Sequence, residues 1–385
     1  MKKNIIYGII IAFILTICCG VMQNYVPIYA EEKFNFTAKS TILMDYNTKT
    51  IIYEKDKDKK LPIASMVKLM TIYITFENLE NGKIKYEQEF TSSEHASSMG
   101  GSQVFIDPYV NYSVKDLLRS VIMASANDAS VVLAEGISGS ETEFVNLMNE
   151  TAKNLGMNNT LYVNSTGLPA PEQYSTAYDC AILLNNLLRY EDYHKFSTVW
   201  MDSLTHPSGR KTELVNTNKL IRYYDGCDGG KTGSTSEAGY CLTTSAKRNN
   251  MRLISVIIGA STGKDRFKES TTLLNYGFAN YENKLLVNKD EIIKEISTKK
   301  CKEKNALIVP TENFYAFDKK GNKSSYDVSV ELPEKIGSTK AGEIIGTIIV
   351  SKEGNVIKTI GLTVKEDLHS ISLLDNFKEI ISNMY

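Results

Sequence analysis

Strand-like sequence brackets a long stretch of helical periodicity, and that order restricts the fold more than any other feature of the chain. Thr41 to Asp45 and Thr50 to Glu54 are β-rich runs on either side of Asn47-Thr48-Lys49, which predicts a hairpin. Met66, Leu69, Met70 and Tyr73 then recur at helical spacing. Leu117 to Met123 and Ala129 to Ile137 read as two helices, the first started by Ser113 with Asp116 three residues on. Ser140 with Glu143 opens another through Leu155, where Gly156 stops it, and Thr176 with Asp179 opens the next through Leu188. Strand-like runs return at Tyr240 to Ala246 and Arg252 to Gly259, followed by a helix from Asp265 to about Tyr281. This order predicts one antiparallel sheet built from both ends of the segment, with a helical lobe inserted, an α/β (α+β) domain.

After Tyr281 the texture changes. Ile292–Ile296, Ala306–Val309, Val328–Leu332, Ile344–Val350 and Val356–Val364 alternate apolar and polar residues between Gly, Asn and Lys turns, which predicts a small all-β C-terminal domain. The domains expected are thus a catalytic-sized segment at 31–281, a β-rich domain at 282–366 and a tail at 367–385. In that tail Leu373, Leu374, Phe377, Ile380, Ile381 and Met384 fall on one helical face.

At the other end, Lys2 and Lys3 precede an apolar run from Ile5 to Val21, and Ile28-Tyr29-Ala30 precede two glutamates. That pattern predicts a secretory signal at 1–30, cleaved after Ala30, with a retained membrane helix as the alternative. The protein is then expected outside the cytoplasm, at the outer face of the cytoplasmic membrane or in the cell wall. Lys+Arg number 44 against 45 Asp+Glu, a formal net charge of −1, so nothing in the charge favours nucleic acid. Cys180, Cys227, Cys241 and Cys301 lack a paired Cys-x-x-Cys and read as mostly buried thiols, and His95, His194, His206 and His369 are scattered. No metal and no cofactor is expected.

Three short motifs carry chemistry. In Ser65-Met66-Val67-Lys68 the residues i and i+3 share a helix face, so a hydroxyl meets an amine. A serine needs a base to become a nucleophile, and lysine serves only if burial or a second cation lowers its pKa. Apolar Ala64, Met66, Val67, Leu69 and Met70 supply the dry setting. Ser125-Ala126-Asn127 offers a hydroxyl to relay a proton and an amide to meet a peptide group, although both residues also suit a helix cap. In Asp228-Gly229-Gly230-Lys231-Thr232-Gly233-Ser234, glycines let a substrate backbone approach a strand edge and Lys231 supplies a cation; an ordinary Gly-rich turn is the alternative. Taken singly, each motif is weak. Together, in this order, they resemble the set of β-lactamases and penicillin-binding proteins, in which the second motif takes a Ser-Asp-Asn form.

The chain resembles the low-molecular-weight penicillin-binding proteins that are serine-type D-alanyl-D-alanine carboxypeptidases, from about Thr41 to its end. Besides the motifs, Asn164-Ser165-Thr166-Gly167-Leu168-Pro169, Ser175-Thr176-Ala177-Tyr178-Asp179 and Asn216-Thr217-Asn218-Lys219-Leu220 carry the likeness. The resemblance implies that Ser65 attacks the carbonyl between the terminal D-alanines of a peptidoglycan stem peptide while Lys68 takes its proton. It makes Ser65, Lys68 and Ser125 the catalytic residues. Asn127, Lys231, Thr232, Gly233 and Ser234 would bind substrate, with the backbone N–H groups of Ser65 and Ser234 as the oxyanion hole. It also implies acylation by β-lactam antibiotics and peripheral membrane association through the tail, against a tail packed on the β-domain. Some members carry an arginine where this chain has Thr217, so carboxylate binding is expected to fall more heavily on Lys231. The other activities weighed are a D,D-endopeptidase, a β-lactamase and a non-catalytic peptidoglycan or β-lactam binder. A class A β-lactamase needs a carboxylate to activate the deacylating water, and the loop Leu161 to Gly167 carries none.

Overall fold

The computed structural model describes residues 34–322 and 324–371. The expected signal segment and positions 372–385 of the tail lie outside the described residues. Strands β1 (Ser40–Asp45) and β2 (Ile51–Lys55) form the expected hairpin, its turn closed by Asp45, whose Oδ2 accepts from the Thr48 N–H and hydroxyl. The chain then passes through a 3₁₀ turn, Ala64–Val67, into α1 (Lys68–Glu80). Every residue of α1 from Lys68 to Phe76 is buried, as suits a helix that is apolar nearly all round and central to the helical lobe. A short hairpin, β3 (Glu89–Thr91) with β4 (Asn111–Ser113), precedes helices α2 (Val114–Ala124), α3 (Asn127–Ser138), α4 (Glu141–Asn154) and α5 (Ala177–Leu187). Ser113, Ser140 and Thr176 accept from the backbone N–H three residues on, so the caps visible in the sequence fix where α2, α4 and α5 begin.

The sequence pattern did not show helix α6 (Glu191–Ser197) or the hairpin β5 (Met201–Thr205) with β6 (Lys211–Val215). Nor did it show that Cys227–Thr235 is itself a strand, β7, rather than a turn before one. It pairs antiparallel with β8 (Gly239–Arg248), which pairs with β9 (Met251–Ala260), which in turn pairs with β1. The sheet order is β2-β1-β9-β8-β7, so both ends of the segment do build one antiparallel sheet, with β7 as an edge. Gly-rich sequence has little intrinsic strand preference. Here the strand follows from pairing with β8 and from close packing that only glycine permits. A Cβ at Gly233 would lie 2.6 Å from the Ile63 carbonyl oxygen and 3.1 Å from the Ser65 nitrogen.

Helix α7 (Gly263–Asn280) leads without a break into β10 (Tyr281–Val287), the start of the β-domain. Strands β11 (Lys294–Ser297), β12 (Asn305–Pro310), β14 (Tyr326–Glu331), β15 (Gly346–Lys352) and β16 (Asn355–Val364) form one sheet in the order β11-β12-β16-β15-β14. A further strand, β13 (Phe314–Lys319), pairs with β10. The domain is docked through Lys320, whose amine and N–H donate to the carbonyls of Phe278 (2.6 Å) and Asn280 (2.7 Å) at the C-terminus of α7, a favourable place for a cation. Its core includes Leu368, and the Ile371 N–H bonds the Lys300 carbonyl, so the β-domain continues to Ile371, past the expected boundary at 366. Residues 367–371, placed in the tail on sequence grounds, are thus part of the β-domain, and the apolar stripe from Leu373 onward lies outside the described residues. Among the described residues no helix is long and apolar enough to cross a membrane.

Candidate active site

The three motifs converge at one place. Ser65 lies in the 3₁₀ turn and Lys68 opens α1, with the lysine Nζ 3.1 Å from Ser65 Oγ. Ala64, immediately before the serine, has φ 48°, a left-handed conformation that costs a residue with a Cβ and is found where tertiary packing over-determines it. The packing is visible: a Cβ at Gly167 (φ 79°) would sit 2.1 Å from the Ala64 carbonyl oxygen, so only glycine lets the 164–169 loop press on this turn.

Lys68 is fully buried. Its Nζ donates to Asn127 Oδ1 at 2.6 Å and to the Thr166 carbonyl. A neutral amine has two N–H donors and one lone pair. With both donors taken, the remaining direction is the one toward Ser65 Oγ, which is the geometry of a base. Burial, then the positive charge of Lys231, push the Lys68 amine well below its ordinary range, while Asp128 pulls it back up. Asp128 is itself buried, accepting from the N–H groups of Val104 (3.0 Å) and Ile106 (3.1 Å), which ties the loop before β4 to the start of α3.

Ser125 sits between α2 and α3 at φ 63°, and neither it nor Asn127 caps a helix with its side chain. Asn127 uses its amide on Lys68 and on the Gly100 carbonyl (2.7 Å). Ser65, Ser125, Thr232, Gly233 and Ser234 line a cleft of about 500 Å³, joined there by Ser102, Trp200, Val215, Asn216, Thr217, Lys219 and Arg266. Lys68, Asn127 and Lys231 lie beneath its surface. A cavity of similar volume, about 530 Å³, lies at the far end of α1 against α6 and holds none of the motif residues. Chemistry decides in favour of the first.

Two residues absent from the sequence reasoning change the electrostatics. Lys231 is 1% exposed and its Nζ donates to the Thr232 carbonyl; burial first, then Arg266, lower its amine to about 7. Arg266, near the start of α7, is one of two cations that line the cleft, with Nη1 donating to the carbonyls of Gly233 (3.0 Å) and Cys241 (3.3 Å) and its buried Nε unpaired. With Lys231 buried, the cations that line the cleft are Arg266 and exposed Lys219, the latter beside Thr217. The second residue is Glu141. The 161–167 loop carries no carboxylate of its own, but Glu141 reaches it from α4, with both oxygens occupied: Oε1 by the Ser165 N–H and hydroxyl, Oε2 by His95. No local signal marks either residue, since each meets the site from a distant part of the chain.

Comparison with known proteins agrees with this geometry. The family model described as D-alanyl-D-alanine carboxypeptidase matches residues 28–262, and that of the penicillin-binding protein 5 C-terminal domain matches residues 281–370. The chain is 41% identical to D-alanyl-D-alanine carboxypeptidase DacF of Bacillus subtilis over 349 residues, 90% of each chain. It is 34% identical to DacC of Escherichia coli, over 86% of this chain and 84% of that one. Among solved structures, penicillin-binding protein 5 of Haemophilus influenzae superposes with a TM-score of 0.70 at 33% identity, covering 88% of this chain and 99% of that one. Penicillin-binding protein D2 of Listeria monocytogenes in an ampicillin-bound form gives 0.58 at 30% identity, over 64% of this chain and 99% of that one.

Proposed function

The chain belongs to the D-alanyl-D-alanine carboxypeptidase family, and from that premise we propose how its cleft removes the terminal D-alanine of a peptidoglycan stem pentapeptide. The carrying observation is that Lys68 Nζ, buried and bonded to Asn127 Oδ1 and the Thr166 carbonyl, makes its third contact to Ser65 Oγ at 3.1 Å, the direction left for the lone pair of the neutral amine. Ser65 Oγ attacks the carbonyl carbon of the penultimate D-alanine as Lys68 takes its proton, and the backbone N–H groups of Ser65 and Ser234 stabilise the oxyanion. Ser125 relays a proton to the leaving amine, D-alanine departs, and water hydrolyses the ester on Ser65. A β-lactam acylates the same serine. The test is D-alanine release from a pentapeptide, together with the decay of a fluorescent penicillin label. Release with a persistent label supports the proposal, rapid decay would indicate a β-lactamase, and absence of both label and release a non-catalytic binder.

The substrate carboxylate meets Thr232 and Arg266, while Lys231 acts from beneath through Lys68. Arg266→Ala is therefore expected to lower kcat/KM on carboxylate-ended peptides by about 10- to 150-fold, the equivalent of one charge-assisted bond of roughly 1.5–3 kcal/mol, and much less on amide-ended ones. Lys231→Ala should lower both alike. Equal losses from Arg266→Ala on the two substrates would place the carboxylate elsewhere.

Export by the N-terminal signal and residence at the outer membrane face are part of the same proposal, supported by the basic-apolar-small pattern at 1–30 and by the cell-wall substrate. The apolar stripe of the tail supports a peripheral anchor. Since Leu368 belongs to the β-domain core, the informative truncation ends at Ile371. Mature protein cut there is expected to stop co-sedimenting with anionic liposomes yet keep its penicillin labelling. Mature full-length protein that stays in the supernatant would exclude the anchor.

A further inference from the structure

The carbonyl that accepts from Lys68 belongs to Thr166, and the residue before it is held on three atoms. Ser165 is wholly buried. Its carbonyl accepts from Thr71 Oγ1 of α1 (3.0 Å) and Ser130 Oγ of α3 (2.8 Å). Its N–H and hydroxyl both donate to Glu141 Oε1, at 2.9 and 2.6 Å. Glu141 is the first residue of α4, directly after the cap Ser140, where the helix end favours a negative charge. Burial alone would raise its carboxyl; the bonds from Ser165, then the one from His95, outweigh that and hold it below its ordinary value.

We propose that Glu141 is a positioning residue for the reaction: by fixing Ser165 it presents the Thr166 carbonyl to Lys68 and so aims the lysine lone pair at Ser65. The inference rests on Lys68 being the base. Glu141 touches neither serine nor substrate, and its oxygens are spent on Ser165 and His95. It is not the water-activating carboxylate of a class A β-lactamase. Removing it leaves a buried N–H and hydroxyl without an acceptor, and the peptide that carries the Thr166 carbonyl is free to turn. Lys68 then keeps Asn127 as its one fixed acceptor, with Lys231 and Asp128 still the charges that act on it.

Acylation by a fluorescent penicillin, followed by stopped flow across pH in the full mature protein, tests this. Glu141→Ala is expected to acylate roughly 10- to 100-fold more slowly, the usual consequence of a misaligned catalytic group. Its acid limb should also move to lower pH, because an acceptor that favours charged lysine has been lost. Glu141→Gln, whose amide oxygen still accepts both Ser165 donors, should recover most of the rate. Wild-type kinetics in Glu141→Ala would overturn the proposal. So would a loss that matches the unfolded fraction seen by circular dichroism while the acid limb stays in place. If Lys68→Met also acylates normally, the assignment of the base has failed; if Lys68→Met is inactive while Glu141→Ala is normal, only this inference has.

Discussion

Ser65→Ala should abolish covalent penicillin labelling and D-alanine release altogether while leaving the fold intact. The side chain removed is small and lies at the cleft surface, so little packing is lost, and Gly233 and Gly167 still hold the 3₁₀ turn from either side. Other hydroxyls line the cleft, on Ser102, Ser125, Thr217, Thr232 and Ser234, but the hydroxyl bonded to Lys68 Nζ is that of Ser65. Intact-mass spectrometry after penicillin exposure reads the result directly. A variant that still gains one acyl group per chain would remove Ser65 from the mechanism.

The second large effect is expected from Lys68→Met, which keeps the length of the side chain in a dry site and removes the amine. Loss of a general base costs roughly 10²- to 10⁴-fold, and acylation should fall by that much. The variant also leaves Asn127 Oδ1 and the Thr166 carbonyl without their donor, at about 1–3 kcal/mol for each buried group, so a lower melting temperature should accompany the kinetic loss. The pH profile carries the sign. Lys68 acts only when neutral, so wild-type kcat/KM should rise with pH through its depressed pKa. Lys231 contributes only when charged, and burial with Arg266 lowers its amine to about 7, so the profile should turn down on the alkaline side. Lys68→Met should lose the rising limb. A Lys68→Met profile that still rises would assign the base to another group.

Much of the fold is local in origin and was therefore legible. Ser113, Ser140 and Thr176 mark helix starts because a cap satisfies backbone donors within one turn. The hairpin at Asn47 and the strands β8 and β9 follow from alternation and turn residues. The segments that escaped lack such signals. Strand β7 is glycine-rich and is a strand only because β8 pairs with it; β10 continues directly from α7; and Leu368, which joins the β-domain core, stands alone between Asp367 and His369.

The site divides in the same way. Sequence alone determined the reacting groups, since Ser65 and Lys68 are one turn apart and their meeting requires nothing but a helical backbone. It also determined, through Ser125, Asn127 and the Lys231–Ser234 run, which chemistry surrounds them. Tertiary structure decided what each group faces. Lys68 meets Thr166 across 98 residues and Glu141 meets Ser165 across 24, distances over which no periodicity or capping rule operates. Likewise, the place of Arg266 at the cleft depends on how α7 packs on β8 and β9, from where its guanidinium reaches the Gly233 and Cys241 carbonyls, so that cation was put there by packing and not by the motif.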